Sequence, residues 1–325
     1  MTLLVLETKT SSEDLTPGGT YFKRLRMDVQ IGVYWRAAVQ MGMDIGGIGY
    51  DILGRPLLRP LKATPIENRK YTKKTGELYA NQRDRDETPE EYGLRCIAAI
   101  VAEPDAYYQR AIPVRLFDEQ HECAVDVWQT TQTMREARRL NMFPRHPDAC
   151  FQWNRSCDYL SACAGDVPID DPLLFRKADR DHEELEDVFE DERVLVTQSS
   201  MRCFRACPRR YQYSYVMRVR PVVKPDALRS GSSVHRGIEA LRLGMSLDEA
   251  CERLDKEDPY DWNRERAMLV GWVARWGDPT RGIQAVEKEF EIDLVNPATG
   301  KASKTFRLAG KMDAIFEGDE REFLG

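Results

Sequence analysis

The run Leu3-Leu4-Val5-Leu6 is apolar and stops abruptly at Glu7-Thr8-Lys9-Thr10-Ser11-Ser12. A buried strand of this kind has to find sheet neighbours, so it constrains the fold more than any other stretch. Side chains alternate along a strand, which points Glu7 and Lys9 the same way, on the face begun by Leu3 and Val5. A carboxylate and an ammonium two residues apart at such a strand end can share one water or metal ion. A solvated strand end with an ordinary ion pair accounts for the same residues. The rest of the chain has to decide between the two.

A chain of 325 residues allows one large domain or two ordinary ones. No apolar run reaches the length of a membrane span, and no basic-then-apolar leader is visible. A cytoplasmic protein without a membrane partner is the expectation. Net charge is −6, so affinity for nucleic acid has to come from local basic patches. The eight cysteines, in a chain this size without a secretion signal, do not suggest a disulfide scaffold.

The spacing predicts a helix over 20–43, with Leu25, Val29, Val33 and Ala37 as its core row. Arg26, Gln30 and Tyr34 form a polar row beside it. A strand is expected over 46–53, then proline-held extended chain over 55–60 and loop over 64–87. Thr88-Pro89-Glu90-Glu91 starts a helix that runs to about residue 102. A strand over 112–117 and a helix over 120–140 follow. Between Asp179 and Glu192, nine of fourteen residues are acidic, which reads as a solvated linker or frayed helix. Thr197 then caps a helix carrying Arg202, Arg205, Arg209 and Arg210, interleaved with Phe204, Tyr211, Tyr213 and Tyr215. These arginines are either an ordinary solvated face or, with the tyrosines, a groove for a DNA strand. A helix over 231–245 has Val234, Ile238, Leu241 and Met245 as its apolar stripe, with His235, Glu239 and Arg242 beside it. Another helix is expected over 262–276. Strands over 284–295 and 305–316 are joined by a turn, and a second turn at 317–320 leads into the start of a further strand.

Within Gly310-Lys311-Met312-Asp313-Ala314-Ile315-Phe316, one acid stands inside an apolar strand. Burying a lone carboxylate is costly, and a divalent cation is a common solution. Glu7 can supply a second oxygen ligand, His235 a nitrogen ligand, and Lys9 a charge beside them. Taken together, Gly310-X-X-Asp313, Glu7-X-Lys9, Gln30-X-X-X-Tyr34 and Gly231-Ser232-Ser233-Val234-His235 resemble the PD-(D/E)XK nuclease superfamily. The RecB-type branch is most similar; it includes the AddB nuclease domain, the CRISPR adaptation exonucleases and many phage exonucleases. The resemblance implies an α/β fold, a mixed central sheet flanked by helices with a restriction-endonuclease-like core. It implies that His235, Asp313 and Glu7 bind Mg²⁺ or Mn²⁺, that Lys9 assists catalysis, and that Gln30 and Tyr34 support the site. The implied activity is hydrolysis of DNA phosphodiesters, as an exonuclease on single-stranded or end-containing DNA. A non-catalytic DNA-binding or assembly module is the alternative. So is a nuclease subunit serving a helicase or a recombination or adaptation partner; no nucleotide-binding glycine loop is present, so such a motor is a separate chain.

The family order is histidine, aspartate, Glu-X-Lys, Gln-X-X-X-Tyr, whereas here the last two come first. Joining Gly325 to the amino terminus restores the usual order, so the resemblance implies a circular permutation, or halves exchanged between two molecules. On that organisation, residues 1–143 are the second half of the core and 195–325 the first. Residues 144–178 form a cysteine-rich segment and 179–194 an acidic linker. Cys207, in Cys207-Pro208-Arg209-Arg210-Tyr211, and Cys150-X6-Cys157-X5-Cys163 resemble the split set of iron–sulfur members. That likeness implies a [4Fe–4S] cluster on four thiolates. Structural Zn²⁺ and unligated core cysteines remain the alternatives, and Cys203 is the rival ligand.

Overall fold

The computed structural model describes residues 2–113, 117–152, 155–185, 191–223 and 226–324. Six strands make the central sheet: β1 (Thr2–Ser11), β2 (Ile45–Gly54), β3 (Tyr108–Ala111), β4 (Val194–Val196), β5 (Ile283–Val295) and β6 (Ala302–Gly318). Their order is β3-β2-β1-β6-β4, with β5 also paired to β6. β2 runs parallel to β1 and β4 parallel to β6, while the other pairs are antiparallel, so the sheet is mixed. The main helices are α1 (Thr20–Arg26), α2 (Val29–Gln40), α3 (Pro89–Ala102), α4 (Phe117–Leu140), α5 (Gln198–Ala206), α6 (Asp226–Arg242), α7 (Pro259–Trp276) and α8 (Glu320–Leu324). Among the described residues, no helix is long and apolar enough to cross a membrane.

The strand alternation read from the sequence sorts the two cores. Val5, Ile48, Tyr50 and Ile52 pack with α2, α4 and α5 through Val33, Tyr34, Val127, Met134 and Met201. Leu53 joins a second core, in which Tyr92 and Ile100 of α3 meet Val234 and Ile238 of α6 and Leu269 and Trp272 of α7. Helices thus flank the sheet on both sides, and each layer hides an apolar face that the other cannot.

The register of β6 creates an opening. β5 follows one edge of it, so β1 and β4 share the other at different heights. β4 pairs over Phe306–Leu308, and β1 pairs from Gly318 back only to Ala314, opposite Leu6. Between these ladders, residues 309–313 have no strand partner on that edge. β1 leaves β6 at Glu7 but stays with β2 as far as Ser11, opposite Gly54. The sheet therefore splits where Glu7 and Asp313 stand.

Several expectations are corrected here. The helix over 20–43 is two helices, because Asp28 ends one turn and caps the next, its carboxylate accepting from the Gln30 N–H at 3.0 Å. The strand expected over 112–117 lies earlier, at Tyr108–Ala111, where it pairs with Tyr50–Leu53; residues 114–116 lie outside the described residues. The strand expected after residue 320 is instead the short helix α8, whose Phe323 is buried against Phe316 with ring centroids 5.9 Å apart. The acidic segment is not simply solvated. His182 is buried, and Asp191 pairs with Arg193 at 2.8 Å and Arg307 at 3.1 Å, while residues 186–190 lie outside the described residues.

Gly310 has a packing reason to be glycine. A Cβ there would stand 2.8 Å from the ring tip of Phe290, which is itself buried edge-on against Tyr34, centroids 5.9 Å apart at 89°. Gly310→Ala should therefore cost roughly 1–3 kcal/mol of unfolding free energy by displacing Phe290. Urea unfolding checks it, and a midpoint equal to that of the unchanged protein would contradict the packing argument.

Candidate active site

A sheet that splits leaves backbone donors and acceptors without ladder partners, and each must be satisfied some other way. At this split, side chains do it. The Thr8 N–H donates to Asp313 Oδ2 at 2.6 Å, and the Tyr34 hydroxyl donates to the Lys311 carbonyl at 2.7 Å. From Tyr34 a chain of contacts returns to β1. Gln30 Nε2 donates to the Tyr34 oxygen at 2.7 Å, Lys9 Nζ donates to Gln30 Oε1 at 2.7 Å, and Lys9 pairs with Glu7 Oε1 at 2.7 Å. Gln30 and Tyr34 can both serve because four residues apart is one helix face. Asp28 Oδ2 stands 3.9 Å from Lys9 Nζ, and the Tyr50 ring lies beneath the ammonium at 6.0 Å.

Of the residues singled out from the sequence, Glu7, Lys9, Gln30, Tyr34, Asp313 and His235 are thus brought to one place. His235 comes from α6 and holds Nδ1 at 3.7 Å from Asp313 Oδ2, too long for a hydrogen bond. Glu7 is buried, and its Oε2 has no hydrogen-bond partner among the described residues. Burial, reinforced by the charge of Asp313, pushes the Glu7 carboxyl up to about 7 despite Lys9. Burial likewise raises Asp313 to about 6, against the pull of the Thr8 N–H. Burial lowers the His235 imidazole, favouring the neutral ring that can ligate a metal. Burial alone would lower Lys9 too, but the charges of Glu7 and Asp28 outweigh it and raise the net value. Lys9 is therefore a cation and a donor at neutral pH, not a base. Two converging carboxyls that resist ionisation, one with an orphaned oxygen, are a donor set of the kind that suits a divalent cation.

Sequence reasoning missed two acids. Asp28, hidden inside the helix expected over 20–43, was not legible as a neighbour of Lys9. Glu287 lies in β5 between Val286 and Lys288, the partners of Ala314 and Met312, and so stands beside Asp313. Its φ of 52° is unusual for a non-glycine residue inside a strand, and its Oε2 pairs with Lys311 Nζ at 2.5 Å. No residue pattern announces that backbone conformation.

Among the described residues, no three or more His, Cys, Asp or Glu side chains are already closed into a metal-holding group. This holds for Glu7, Asp313 and His235 and equally for the cysteines, so the iron–sulfur expectation gains no support. Cys207 is buried, Cys150, Cys157 and Cys163 are half-buried, and all are free thiols. The Cys157 N–H donates to the Cys150 carbonyl at 2.8 Å, while the Cys157 and Cys163 side chains pack into a small apolar cluster with Tyr159 and Phe175. Burial raises the Cys157 thiol and takes Cys203 up to about 11, and the charge of Cys207 adds to both shifts. Of the two readings of the arginine and tyrosine helix, the burial pattern favours the ordinary solvated face. Phe204, Tyr211 and Tyr213 are buried and Tyr215 is half-buried, so they offer little as a stacking platform. Arg209 donates to the Phe143 carbonyl at 3.0 Å and Arg210 stands 3.9 Å from Asp158, which leaves only Arg202 and Arg205 exposed.

Residues 195–324 match the family model of the PD-(D/E)XK nuclease superfamily. That segment, which carries His235 and Asp313, is a PD-(D/E)XK nuclease superfamily domain, and the mixed sheet with flanking helices is consistent with that fold. No curated protein and no solved structure matched the chain.

Glu7 binds its proton more tightly folded than unfolded. Its contribution to stability is therefore fully present below about pH 4, the unfolded carboxyl range, and is lost as pH rises through about 7. The loss in metal-free protein is roughly 3 kcal/mol. Glu7→Gln removes it, so with chelator present the variant's Tm advantage should grow between about pH 5 and about pH 8. A difference that stays flat or reverses would contradict the burial argument.

Proposed function

We propose that the chain is a metal-dependent deoxyribonuclease that hydrolyses phosphodiesters at the split between β1 and β6. The observation that carries the reading is the meeting of Glu7 and Asp313, both buried and both with raised pKa, beside an ammonium held by Glu7 and Gln30. Glu7, Asp313 and His235 would hold Mg²⁺ or Mn²⁺, which when bound supplies charge neutralisation at the phosphate. Hydrolysis adds a water oxygen to phosphorus and breaks the bond to one sugar oxygen, with negative charge building on the phosphoryl oxygens. Lys9 is the residue suited to meet that charge, because it stays protonated and its position is fixed from two sides. Gln30 and Tyr34 hold Lys9 from α2, and Tyr34 anchors that helix to β6 at Lys311. The Thr8 N–H aims the Asp313 carboxylate.

Asp313→Asn and Lys9→Ala should each lower cleavage of labelled single-stranded DNA in Mg²⁺ or Mn²⁺ by at least about 100-fold. Chelator should abolish cleavage by the unchanged protein. Undiminished cleavage by purified, folded Asp313→Asn would reject the assignment, and binding of DNA without any cleavage would favour a non-catalytic module.

The element order is that of a circularly permuted member. Support comes from the antiparallel pairing of β6 with β1 in one chain, and from a family match that covers the His–Asp half alone. A rebuilt chain running 191–325 and then, through a short linker, 1–185 should fold and cleave like the original. Failure of that chain to fold, with the original intact, would count against the permutation.

A further inference from the structure

Thr8 stands between Glu7 and Lys9 and faces two ways. Its N–H meets Asp313 Oδ2 at 2.6 Å, and its hydroxyl accepts from Arg242 Nη1 at 2.9 Å. The same guanidinium donates through Nη2 to Asp51 Oδ2 at 3.0 Å. Asp51 is the register partner of Thr8 on β2, so Arg242 closes a bridge across two neighbouring strands. Asp51 is braced in turn. Trp272 Nε1 donates to its oxygens at 3.1 and 3.2 Å, and Arg110 Nε stands 3.5 Å away. All three members of the bridge are buried: Thr8 is 1% exposed, Asp51 0% and Arg242 5%.

A buried ion pair of this kind is often no more stabilising than apolar residues of the same volume, so stability alone is a weak reason for it. Its location suggests another. Beyond Leu6 the β6 ladder no longer sets the direction of β1 on that side. The direction of the Thr8 N–H then depends on how the residue is held elsewhere. Arg242 grips the only side-chain atom that can hold it from the opposite face.

We propose that Arg242, braced by Asp51, is a positioning residue: by gripping the Thr8 hydroxyl it fixes the peptide N–H that aims the Asp313 carboxylate. The proposal rests on the reading of Asp313 as a cation ligand. Hydrogen-bonded supports behind metal ligands typically change metal affinity by about 10–100-fold when removed.

The test uses the full chain and Mn²⁺ alone, with binding followed by loss of the free-ion electron paramagnetic resonance signal. Exchange of the residue 8 amide is read in metal-free protein. Thr8→Val keeps the shape and charge but removes the hydroxyl, Thr8→Ser restores it, and Arg242→Lys keeps the charge but cannot span Thr8 and Asp51. Thr8→Val and Arg242→Lys should bind Mn²⁺ at least about tenfold more weakly and exchange amide 8 faster, with Thr8→Ser close to the unchanged protein. A network that only stabilises the fold would lower Tm in these variants without changing Mn²⁺ affinity. Affinities within about twofold in both variants would overturn the proposal. Should Thr8→Val not fold, Arg242→Lys decides. Should the unchanged protein bind no Mn²⁺, the ligand reading fails, and amide 8 exchange alone then decides whether Arg242 positions Thr8.

Discussion

The parting of β1 from β6 is the constraint on which the rest depends. An antiparallel pair that continued past Leu6 and Ala314 would lay Glu7 directly against Asp313 and close the sheet over both. Because β1 instead stays with β2, the backbone at the split needs other partners, and an unsatisfied buried donor or acceptor costs about 1–3 kcal/mol. The Asp313 carboxylate and the Tyr34 hydroxyl meet that demand. The same atoms that let the sheet open are those that line the opening, so fold and site share one set of hydrogen bonds.

Electrostatics then gives the opening its chemical character. Burial holds Glu7 and Asp313 above the ordinary carboxyl range, with the charge of Asp313 adding to it at Glu7 and that of Glu287 at Asp313, and Lys9 offsets this only in part. Glu287 adds negative charge beside Asp313, tempered by Lys311. A pocket of this kind favours a cation over an anion. On the proposed function, a phosphate could approach only where its charge is met, by Lys9 or by a metal ion, so that reading makes the two a pair rather than alternatives.

Much of this was legible in the residues. The abrupt end of the apolar run at Glu7, the lone acid in the strand of Asp313 and the Gln30–Tyr34 spacing all follow from strand and helix periodicity. What failed did so for identifiable reasons. The break at Asp28 was hidden because the apolar row Leu25, Val29, Val33 and Ala37 continues through it in phase, although the aspartate is a good cap. Phe323 looked like the start of a strand because four apolar or charged residues cannot distinguish a strand from one turn of helix. The arginine and tyrosine helix misled because alternation of types says nothing about direction: its aromatic residues turn inward to the core.

The two halves of the site also depend on each other across the whole chain. Thr8 and Asp313 are 305 residues apart in sequence, and Tyr34 and Lys311 are 277 apart. Closing such loops is entropically costly, so contacts of this range form late and reward folding only when both sides are in place. The segment that matches the family model carries Asp313 and His235 but neither the Thr8 N–H nor Lys9. On its own it would present a buried acid without its hydrogen-bond donor, its counter-cation or the strand beside it. The chemistry therefore belongs to neither half, and it arises only where β1 is laid against β6 and then turned away.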